Sequence, residues 1–272
     1  MSTRIPSPMK RAARSLLGDW WYRALGNLYL NWRQEKERRK DPRYKASIRR
    51  IVAMKDKHQG ERCFIIGNGP SLRNTDLTLL KDEVTFGLNR IYLLFDQMGF
   101  ATTYYVAVNK LVIEQCAQEI VGLPCPKFIN WHARDEIDFT TDMMFLHGQF
   151  GRMFSTDITE GIWVGATVTY VAMQIAYYMG FQKVILVGVD HSFATQGKPH
   201  TTVVSQGDDP NHFAPQYFGK GFRWQLPDLE TAELAYRIAK YQFEIRDREI
   251  VDATVDGKLQ VFRKVDYRMV FK

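Results

Sequence analysis

The chain has 272 residues, of which 45% are hydrophobic and 13% aromatic, so it can bury a core and is not intrinsically disordered. Residues 1–58 hold 16 of the 37 Lys and Arg but only 5 of the 30 Asp and Glu, so the rest of the chain is net acidic despite a formal charge of +7, which argues against nucleic acid as a partner. Three single cysteines in apolar surroundings argue against a disulfide framework and against a zinc site. The sequence shows no signal-peptide pattern and no run of 18 apolar residues, so we expect a cytoplasmic protein.

The N-terminal arm, residues 1–58, has the pattern of a basic amphipathic helix. Its apolar residues recur at the spacing of one helical face, and a basic cluster follows at residues 33–40. Such a helix either lies on an anionic membrane surface or packs on its own domain or a second subunit, and the sequence leaves both open. A peripheral location at the inner face of the membrane and a homo-oligomer are therefore the two alternatives. The face consists of Leu17, Trp21, Leu25, Leu28 and Trp32, with Trp20, Tyr22 and Tyr29 beside it.

The run CFIIGNGPSL, residues 63–72, predicts a strand that leads directly into a turn with two glycines. Gly67 and Gly69 lack a Cβ, so the turn can be sharp and its backbone N–H groups can approach a phosphate or a ribose. Pro70 has a fixed φ and no N–H, so we expect it to open a helix whose first amides attract anions. The spacing matches neither a dinucleotide fingerprint nor a P-loop, because Leu72 replaces the third glycine and no Gly-Lys-Ser or Gly-Lys-Thr follows. The alternative is a tight strand-to-helix turn without a ligand.

Beyond a break at residues 59–61, apolar strands alternate with helices in the rhythm of a parallel sheet. Thr167–Met179 is apolar nearly all round and predicts a buried helix, and Val184–Val189 predicts a central strand buried on both faces. We predict an α/β fold, a single Rossmann-like, doubly wound, mainly parallel sheet with a lid region, in a catalytic domain of residues 59–272. The predicted strands are residues 62–66, 84–88, 103–108, 126–130, 183–188 and 248–252.

The stretch His191–Leu226 is polar, contains glycines and has no clear period. A loop of this length in a compact domain is usually functional, so we predict a lid without regular structure. Helical spacing returns over residues 228–246 with Asp228 as its N-cap. The tail, Asp256–Lys272, is predicted to form a closing hairpin with its turn at Gly257.

Polar side chains stand at the carboxyl ends of four predicted strands, the edge of a parallel sheet where ligands bind. Asn68, Asn89 and Asn109 bring neutral amides, which suit the sugar and base of a nucleotide better than proton transfer. Each of them taken alone could be a turn former. The fourth strand ends in the run Asp190–Ser192. We therefore expect one shared polar site at this edge.

Histidines are the natural candidates for proton transfer, because their ordinary pKa lies near neutrality. His191 and His212 lie in or beside the predicted lid. No Gly-x-Ser-x-Gly elbow is present, so covalent catalysis by serine is not indicated. Asp208 and Asp209 are adjacent carboxylates that could hold Mg²⁺, but such pairs in polar loops are usually only solvated, and we predict no metal site.

Together these motifs resemble those of the bacterial sialyltransferases of glycosyltransferase family 42 and of the related 6-hydroxymethylpterin diphosphokinase-like domain, which also occurs in bacterial motility accessory factors. The likeness is one of motif order and covers about residues 61–265. It is carried by IGNGPSL at residues 66–72, GLN at 87–89, VN at 108–109 with EQ at 114–115, and MGFQKVILVGVD at 179–190.

The resemblance implies transfer of an acidic sugar, sialic acid-like or Kdo-like, from a CMP-activated donor to a surface-glycan acceptor, with no cofactor required. It gives His212 the role of general base, with Lys220 as a rival that would instead pair with the leaving phosphate. The sialyltransferases place tyrosines on the phosphate after their Gly-x-Asp strand, where this chain has His191 and Ser192, and this difference favours the pterin-kinase-like branch. The implied nucleotide- and donor-binding residues are Gly67, Asn68, Gly69, Ser71, Asn89, Asn109, Asp190, His191, Ser192 and Lys220.

Two other functions stay open at the level of the sequence. A 6-hydroxymethylpterin diphosphokinase would move pyrophosphate from ATP and would need Mg²⁺, for which Asp190, Asp208 and Asp209 are the candidates. A nucleotide-binding scaffold recruited by its arm would bind without turnover, and its binding would survive the loss of His212.

Overall fold

The computed structural model describes residues 35–149 and 153–272. Residues 46–272 form one compact unit, and the described residues before them belong to another. The predicted apolar face of the arm, from Leu17 to Trp32, lies outside the described residues. Among the helices described here, none is long and apolar enough to cross a bilayer.

The compact unit begins earlier than the predicted boundary after residue 58. In the helix α1, Pro42–Val52, Ile51 is fully buried and the Arg50 guanidinium donates to the Thr140 carbonyl at 3.0 Å. The Ser47 hydroxyl accepts the Phe145 N–H at 2.9 Å. Residues 46–58 therefore pack on the body of the domain and are not part of a separate arm, because their apolar face and their polar side chains both have partners there.

The helices and strands follow in the order that a parallel sheet requires. The strands are β1 Arg62–Ile66, β2 Thr85–Leu88, β3 Tyr104–Ala107, β4 Lys127–Asn130, β5 Met143–Leu146, β6 Gly148–Gln149, β7 Ile162–Trp163, β8 Lys183–Val187, β9 Thr202–Val204, β10 Arg223–Gln225, β11 Glu249–Asp252 and β12 Arg263–Lys264. After α1 the α-helices are α2 Phe95–Met98, α3 Lys110–Gln115, α4 Ala117–Val121, α5 Val168–Tyr178 and α6 Leu229–Glu244. The 3₁₀ helices are Pro70–Asn74, Leu77–Leu80, Ile91–Leu94, Trp131–Ala133 and Arg268–Phe271.

Eight parallel strands form one sheet in the order β12-β11-β8-β1-β2-β3-β4-β5. The chain winds outward from β1 through β2 to β5 and then returns to add β8, β11 and β12 on the other side. This confirms the single, doubly wound, Rossmann-like fold, with its topological switch point between β1 and β8. All six predicted strands are present in this sheet, and its two edge strands, β5 and β12, were not predicted.

The buried helix and the capped helix are confirmed. Helix α5 is buried along most of its length, and the Thr167 hydroxyl accepts the Thr169 N–H at 3.3 Å to cap its start. Asp228 caps α6 by accepting the Thr231 N–H at 2.9 Å. Both helices thus begin at the polar residue that can satisfy their first free amides.

Two predictions about loops are wrong. The tail does not form a hairpin, because β12 pairs with β11 in parallel and so extends the sheet. The preceding segment is held to the end of β8 by the Ala253 N–H, which donates to the Leu186 carbonyl at 2.8 Å. The lid is not without regular structure, because β9 and β10 pair in an antiparallel ladder within it.

Candidate functional site

A cavity of about 880 Å³ lies outside the carboxyl ends of β1, β2, β3, β4 and β8. Its walls include the last residue of β4 and the residues that directly follow the other four strands, and the part of the chain that follows β8 closes over it. This is the edge at which an open parallel sheet binds its ligands, on both sides of the switch point. Most of the predicted site residues line it: Gly67, Asn68, Gly69, Asn89, Asn109, Asp190, His191, Ser192 and His212.

Two predicted site residues do not line the cavity. Lys220 is exposed and lies outside the lining, so the structure does not place it beside a donor phosphate. Ser71 is buried next to the lining and contacts Asp190.

The amides of the glycine turn are already bonded within the protein. The Gly67 N–H donates to the Val187 carbonyl at 2.7 Å, and the Gly69 N–H donates to the Gly188 carbonyl at 2.9 Å. A Cβ on Gly69 would lie 1.7 Å from Asp190 Oδ2. The two glycines are therefore needed for the close approach of the turn to the end of β8, and the expectation that their N–H groups face a phosphate is wrong.

The start of the helix after the turn holds a carboxylate from the chain itself. Asp190 accepts the Ser71 N–H at 3.0 Å and the Ser71 hydroxyl at 2.7 Å. Burial raises the pKa of Asp190, and the two bonds from Ser71 oppose that rise. The helix that Pro70 opens is a 3₁₀ helix, Pro70–Asn74, and the anion at its first turn is internal.

The amides at the strand ends fall into two groups. The side-chain oxygen of Asn109 accepts the Leu111 N–H at 2.9 Å and caps α3, and the side-chain oxygen of Asn130 accepts the His132 N–H at 3.0 Å. By contrast, the side-chain oxygens Oδ1 of Asn68 and Asn89 are buried and have no hydrogen-bond partner among the described residues. A buried acceptor without a partner carries a free-energy cost that a ligand donor would remove.

Asn130 belongs to the site although it was not among the predicted residues. It is the last residue of β4, so the same sequence signal, an asparagine at the end of an apolar run, would have found it. Its amide N–H also donates to the Val108 carbonyl at 3.0 Å, which ties the ends of β3 and β4 together.

His212 lines the cavity from the lid and is almost buried. Its Nδ1 atom lies 2.7 Å from Oδ2 of Asp209, and its ring stacks on Tyr217 with centroids 4.0 Å apart. Asp209 is 5% exposed, so the expectation of a solvated carboxylate pair is wrong for this residue. Asp208 is exposed and does not line the cavity.

The lid residues around His212 are fastened to the glycine turn. The Arg73 guanidinium donates to the His212 carbonyl at 2.7 Å and to the Phe213 carbonyl at 2.8 Å. The Phe213 N–H donates to the main-chain carbonyl of Asn68 at 3.0 Å. Arg73 carries no signal in the sequence, because its partners lie about 140 residues further along the chain.

The Glu114–Gln115 pair fastens the other end of the lid. The Gln115 side-chain amide accepts the Arg223 N–H at 2.9 Å and donates to the Arg223 carbonyl at 2.8 Å. The Glu114 carboxylate is 2.8 Å from the Arg223 guanidinium. The Gln115 side-chain amide thus bonds to the backbone of β10 as a neighbouring strand would, so the Glu114–Gln115 motif holds the lid in place.

The cavity walls combine apolar and aromatic side chains with neutral polar ones, and they carry few fixed charges. Within the described chain no arginine lines the cavity, and its one lysine, Lys110, is ion-paired with Glu136 at 2.8 Å. Nε2 of His191 lies 3.5 Å from Oε2 of Glu233. Phe218 and Trp224 line the cavity and are both buried. The described residues contain no group of three His, Cys, Asp or Glu that could hold a metal ion.

Comparisons with known proteins agree with this architecture. Residues 43–196 match the family described as 6-hydroxymethylpterin diphosphokinase MptE-like. Among solved structures, the MAf glycosyltransferase from Magnetospirillum magneticum AMB-1 is similar with a TM-score of 0.50 and 14% identity, which shows a common fold. The similarity covers 83% of this chain and 38% of that chain, so this chain spans well under half of the length of that protein. No curated protein matches the sequence.

The family match contains most of the cavity floor and little of the lid. It includes the glycine turn, the asparagines and Asp190, and it ends at residue 196, before Asp209 and His212.

Proposed function

The chain belongs to the 6-hydroxymethylpterin diphosphokinase MptE-like family, and from this membership and its cavity we propose that it is a glycosyltransferase. In this proposal it transfers an acidic sugar, sialic acid-like or Kdo-like, from a CMP-activated donor to a hydroxyl group of a surface glycan. The observation that carries the proposal is that Asn68 and Asn89, whose buried side-chain oxygens have no partner among the described residues, line the same cavity as His212. The fold shared with a protein that is described as a glycosyltransferase is consistent with it.

The two amide oxygens favour a ligand with several N–H and O–H donors. The amino group of cytosine and the hydroxyl groups of ribose and sugar are such donors, and each would satisfy an acceptor that the protein leaves open. A volume of about 880 Å³ is in the range of ligand cavities that take a nucleotide with an attached group.

The charge of the lining favours a donor with a single phosphate. The lysine that lines the cavity is neutralised by Glu136, and the Asp190 carboxylate adds negative charge at the switch point. A triphosphate would bring several charges into a site that offers few fixed cations. A nucleoside monophosphate ester of a sugar requires the least compensation.

The proposed reaction is a displacement at the anomeric carbon of the sugar. The acceptor oxygen forms a bond to that carbon while the bond from the carbon to the phosphate oxygen breaks, and CMP leaves with the electron pair. The proton of the acceptor hydroxyl passes to the ring nitrogen of His212 that does not face Asp209. The buried aromatic walls keep water, the competing acceptor, away from the reacting carbon.

The family description also raises diphosphoryl transfer from ATP as a second candidate, and the residues present do not fit the Mg²⁺ that it needs. The Asp190 oxygens both accept hydrogen bonds from Ser71. The Asp209 oxygens face the Asn211 N–H, the Phe218 N–H and His212, and Asp208 is exposed and away from the cavity. A metal would have to displace these bonds.

Ligand-dependent thermal stability tests the proposal, because a ligand that binds the native state stabilises it by mass action. We expect CMP and a CMP-linked acidic sugar to raise Tm. At a ligand concentration of 100 times Kd, the free energy of unfolding should increase by about 2.7 kcal/mol. ATP with Mg²⁺ and 6-hydroxymethylpterin are the matched alternatives. A response to ATP with Mg²⁺ and none to CMP would overturn the glycosyltransferase proposal in favour of the kinase.

Turnover separates an enzyme from a binding scaffold. His212→Gln should keep CMP binding and lose CMP release from the donor in the presence of an acceptor. If the wild-type protein binds CMP but releases none from any acidic-sugar donor, and His212→Gln binds equally well, the chain is a scaffold.

A further inference from the structure

We propose that Asp209 is the positioning residue of His212: its carboxylate holds the proton on Nδ1, so that the Nε2 lone pair is the one offered to the cavity. The catalytic meaning of this assignment depends on the proposed function. The tautomer itself does not, because it is a property of the protein without substrate.

The hydrogen bond defines which nitrogen carries the proton. Oδ2 of Asp209 and Nδ1 of His212 are 2.7 Å apart, and both residues are nearly buried. An ionised carboxylate only accepts, so a neutral imidazole must donate through Nδ1–H. His212 lines the cavity and Asp209 does not, so the base can act on a ligand only through its other nitrogen.

The carboxylate is itself held in place by main-chain donors. Oδ1 accepts the Asn211 N–H at 2.8 Å, and Oδ2 also accepts the Phe218 N–H at 3.1 Å. The Asp209 N–H donates to the Pro215 carbonyl at 2.8 Å. These bonds fix the side chain on both oxygens, so rotation of the carboxylate away from the ring would leave buried N–H groups without partners.

The imidazole is confined on its faces and edges by aromatic rings. Tyr217 stacks on one face with an interplanar angle of 9°, and Phe218 meets the ring edge-on with centroids 4.8 Å apart. Phe193 approaches edge-on at 6.0 Å. With the ring plane and Nδ1 both fixed, a flip that exchanged the two nitrogens would break the bond to Asp209 and disturb this packing.

The protons balance in this arrangement. The acceptor hydroxyl gives its proton to Nε2, the ring becomes an imidazolium that keeps Nδ1–H, and Asp209 stays ionised beside it. After the product leaves, Nε2 returns the proton to solvent. Asp209 therefore stabilises the charged ring without being protonated.

The first test reads the tautomer directly. Long-range ¹H–¹⁵N spectra of the ¹⁵N-histidine-labelled full chain distinguish the two neutral tautomers, and His212→Gln identifies the signals. We expect Nδ1–H for His212 in the wild-type protein at a pH where the ring is neutral. An Nε2–H tautomer in the wild-type protein would overturn the inference whatever the protein does to sugars.

The second test uses Asp209→Asn, with Asp208→Asn as the matched control on the exposed neighbour. We expect Asp209→Asn to lower kcat by about 10²- to 10⁴-fold, and to move the acid limb of the pH–rate profile to lower pH because the ring loses its stabilising anion. Asp208→Asn should change neither. The other groups near the ring are the Tyr217 phenol, which burial keeps neutral by raising its pKa, and the Arg73 guanidinium on the His212 carbonyl.

The outcomes separate the two proposals. A fall in kcat with an unmoved acid limb and an unmoved tautomer would mean that Asp209 has only a structural role. Full turnover of His212→Gln would remove the base from the proposed mechanism and leave the tautomer result standing. In the double variant Asp209→Asn with His212→Gln, we expect no loss beyond that of His212→Gln alone, because the two residues act as a unit.

Discussion

Asp190 accepts two hydrogen bonds from Ser71, one from the backbone N–H at 3.0 Å and one from the hydroxyl at 2.7 Å. These bonds join the end of β8 to the turn after β1, across the switch point of the sheet. They also place a half-buried carboxylate in the cavity lining, where a glycine-rich turn usually offers free amides. Four of the following predictions depend on contacts around this junction.

Gly69→Ala should destabilise the protein, because the new Cβ would lie 1.7 Å from Asp190 Oδ2 and the carboxylate would have to leave Ser71. We expect a loss of about 1–3 kcal/mol in the free energy of unfolding, the cost of unmade buried hydrogen bonds. Gly207→Ala is the matched control, since nothing lies within 4 Å of its added Cβ. Equal urea midpoints for both variants would contradict the prediction.

Asp190→Asn should change how stability depends on pH. Burial raises the folded-state pKa of this carboxyl above its model-compound value of 3.8, so the folded protein holds the proton more tightly than the unfolded chain. The wild-type protein should therefore lose stability relative to Asp190→Asn as the pH rises from about 4, until the folded-state pKa is passed. Urea titrations between pH 4 and 7 measure this difference, and a difference independent of pH would refute it.

Asn68→Ala should separate binding from stability. Its amide oxygen has no protein partner, so we expect the free energy of unfolding to change by less than about 0.5 kcal/mol. Cytidylate affinity should fall by about 5- to 150-fold, the equivalent of one lost hydrogen bond to a buried group. Asn130→Ala is the comparison, because its amide bonds to Val108 and His132 and its loss should lower stability instead.

Arg73→Gln should loosen the lid, because the guanidinium bonds to the His212 and Phe213 carbonyls would be lost. We expect faster amide hydrogen exchange over the lid residues 209–218 and a turnover reduced by about 10-fold or more through displacement of His212. Arg246→Gln, in the exposed turn between α6 and β11, is the control and should leave both unchanged. Unaltered exchange in Arg73→Gln would show that the lid does not depend on this contact.

The arm provides a separate prediction about location. If the residues before 46 bring the protein to an anionic membrane, replacing Trp21 and Trp32 by alanine in the full chain should reduce co-sedimentation with phosphatidylserine vesicles, and 0.5 M salt should reduce it further. Neutral vesicles are the control. Equal sedimentation of the variant and the wild-type protein with anionic vesicles would rule out recruitment by this face.

The sequence alone determined six of the eight strands of the sheet and the place of the cavity. Short apolar runs that alternate with helices are typical of the strands of a parallel sheet, and the carboxyl ends of such strands meet at one edge. This is why Asn68, Asn89 and Asn109 could be assigned to one site from their positions after β1, β2 and β3. The caps at Thr167 and Asp228 were local in the same sense, since each bonds an amide two or three residues away.

Only the tertiary structure decided what each of these groups is free to do. The N–H groups of the glycine turn donate to carbonyls at the end of β8, and the side-chain oxygen of Asn109 caps α3. The anion that Ser71 binds is Asp190. The side-chain oxygens of Asn68 and Asn89, by contrast, have no partner among the described residues. The lid likewise depends on Arg73 and Gln115, whose partners are more than a hundred residues away. A hydrogen bond saturates its donor and acceptor, so the groups left for a ligand are known only when every distant partner has been placed.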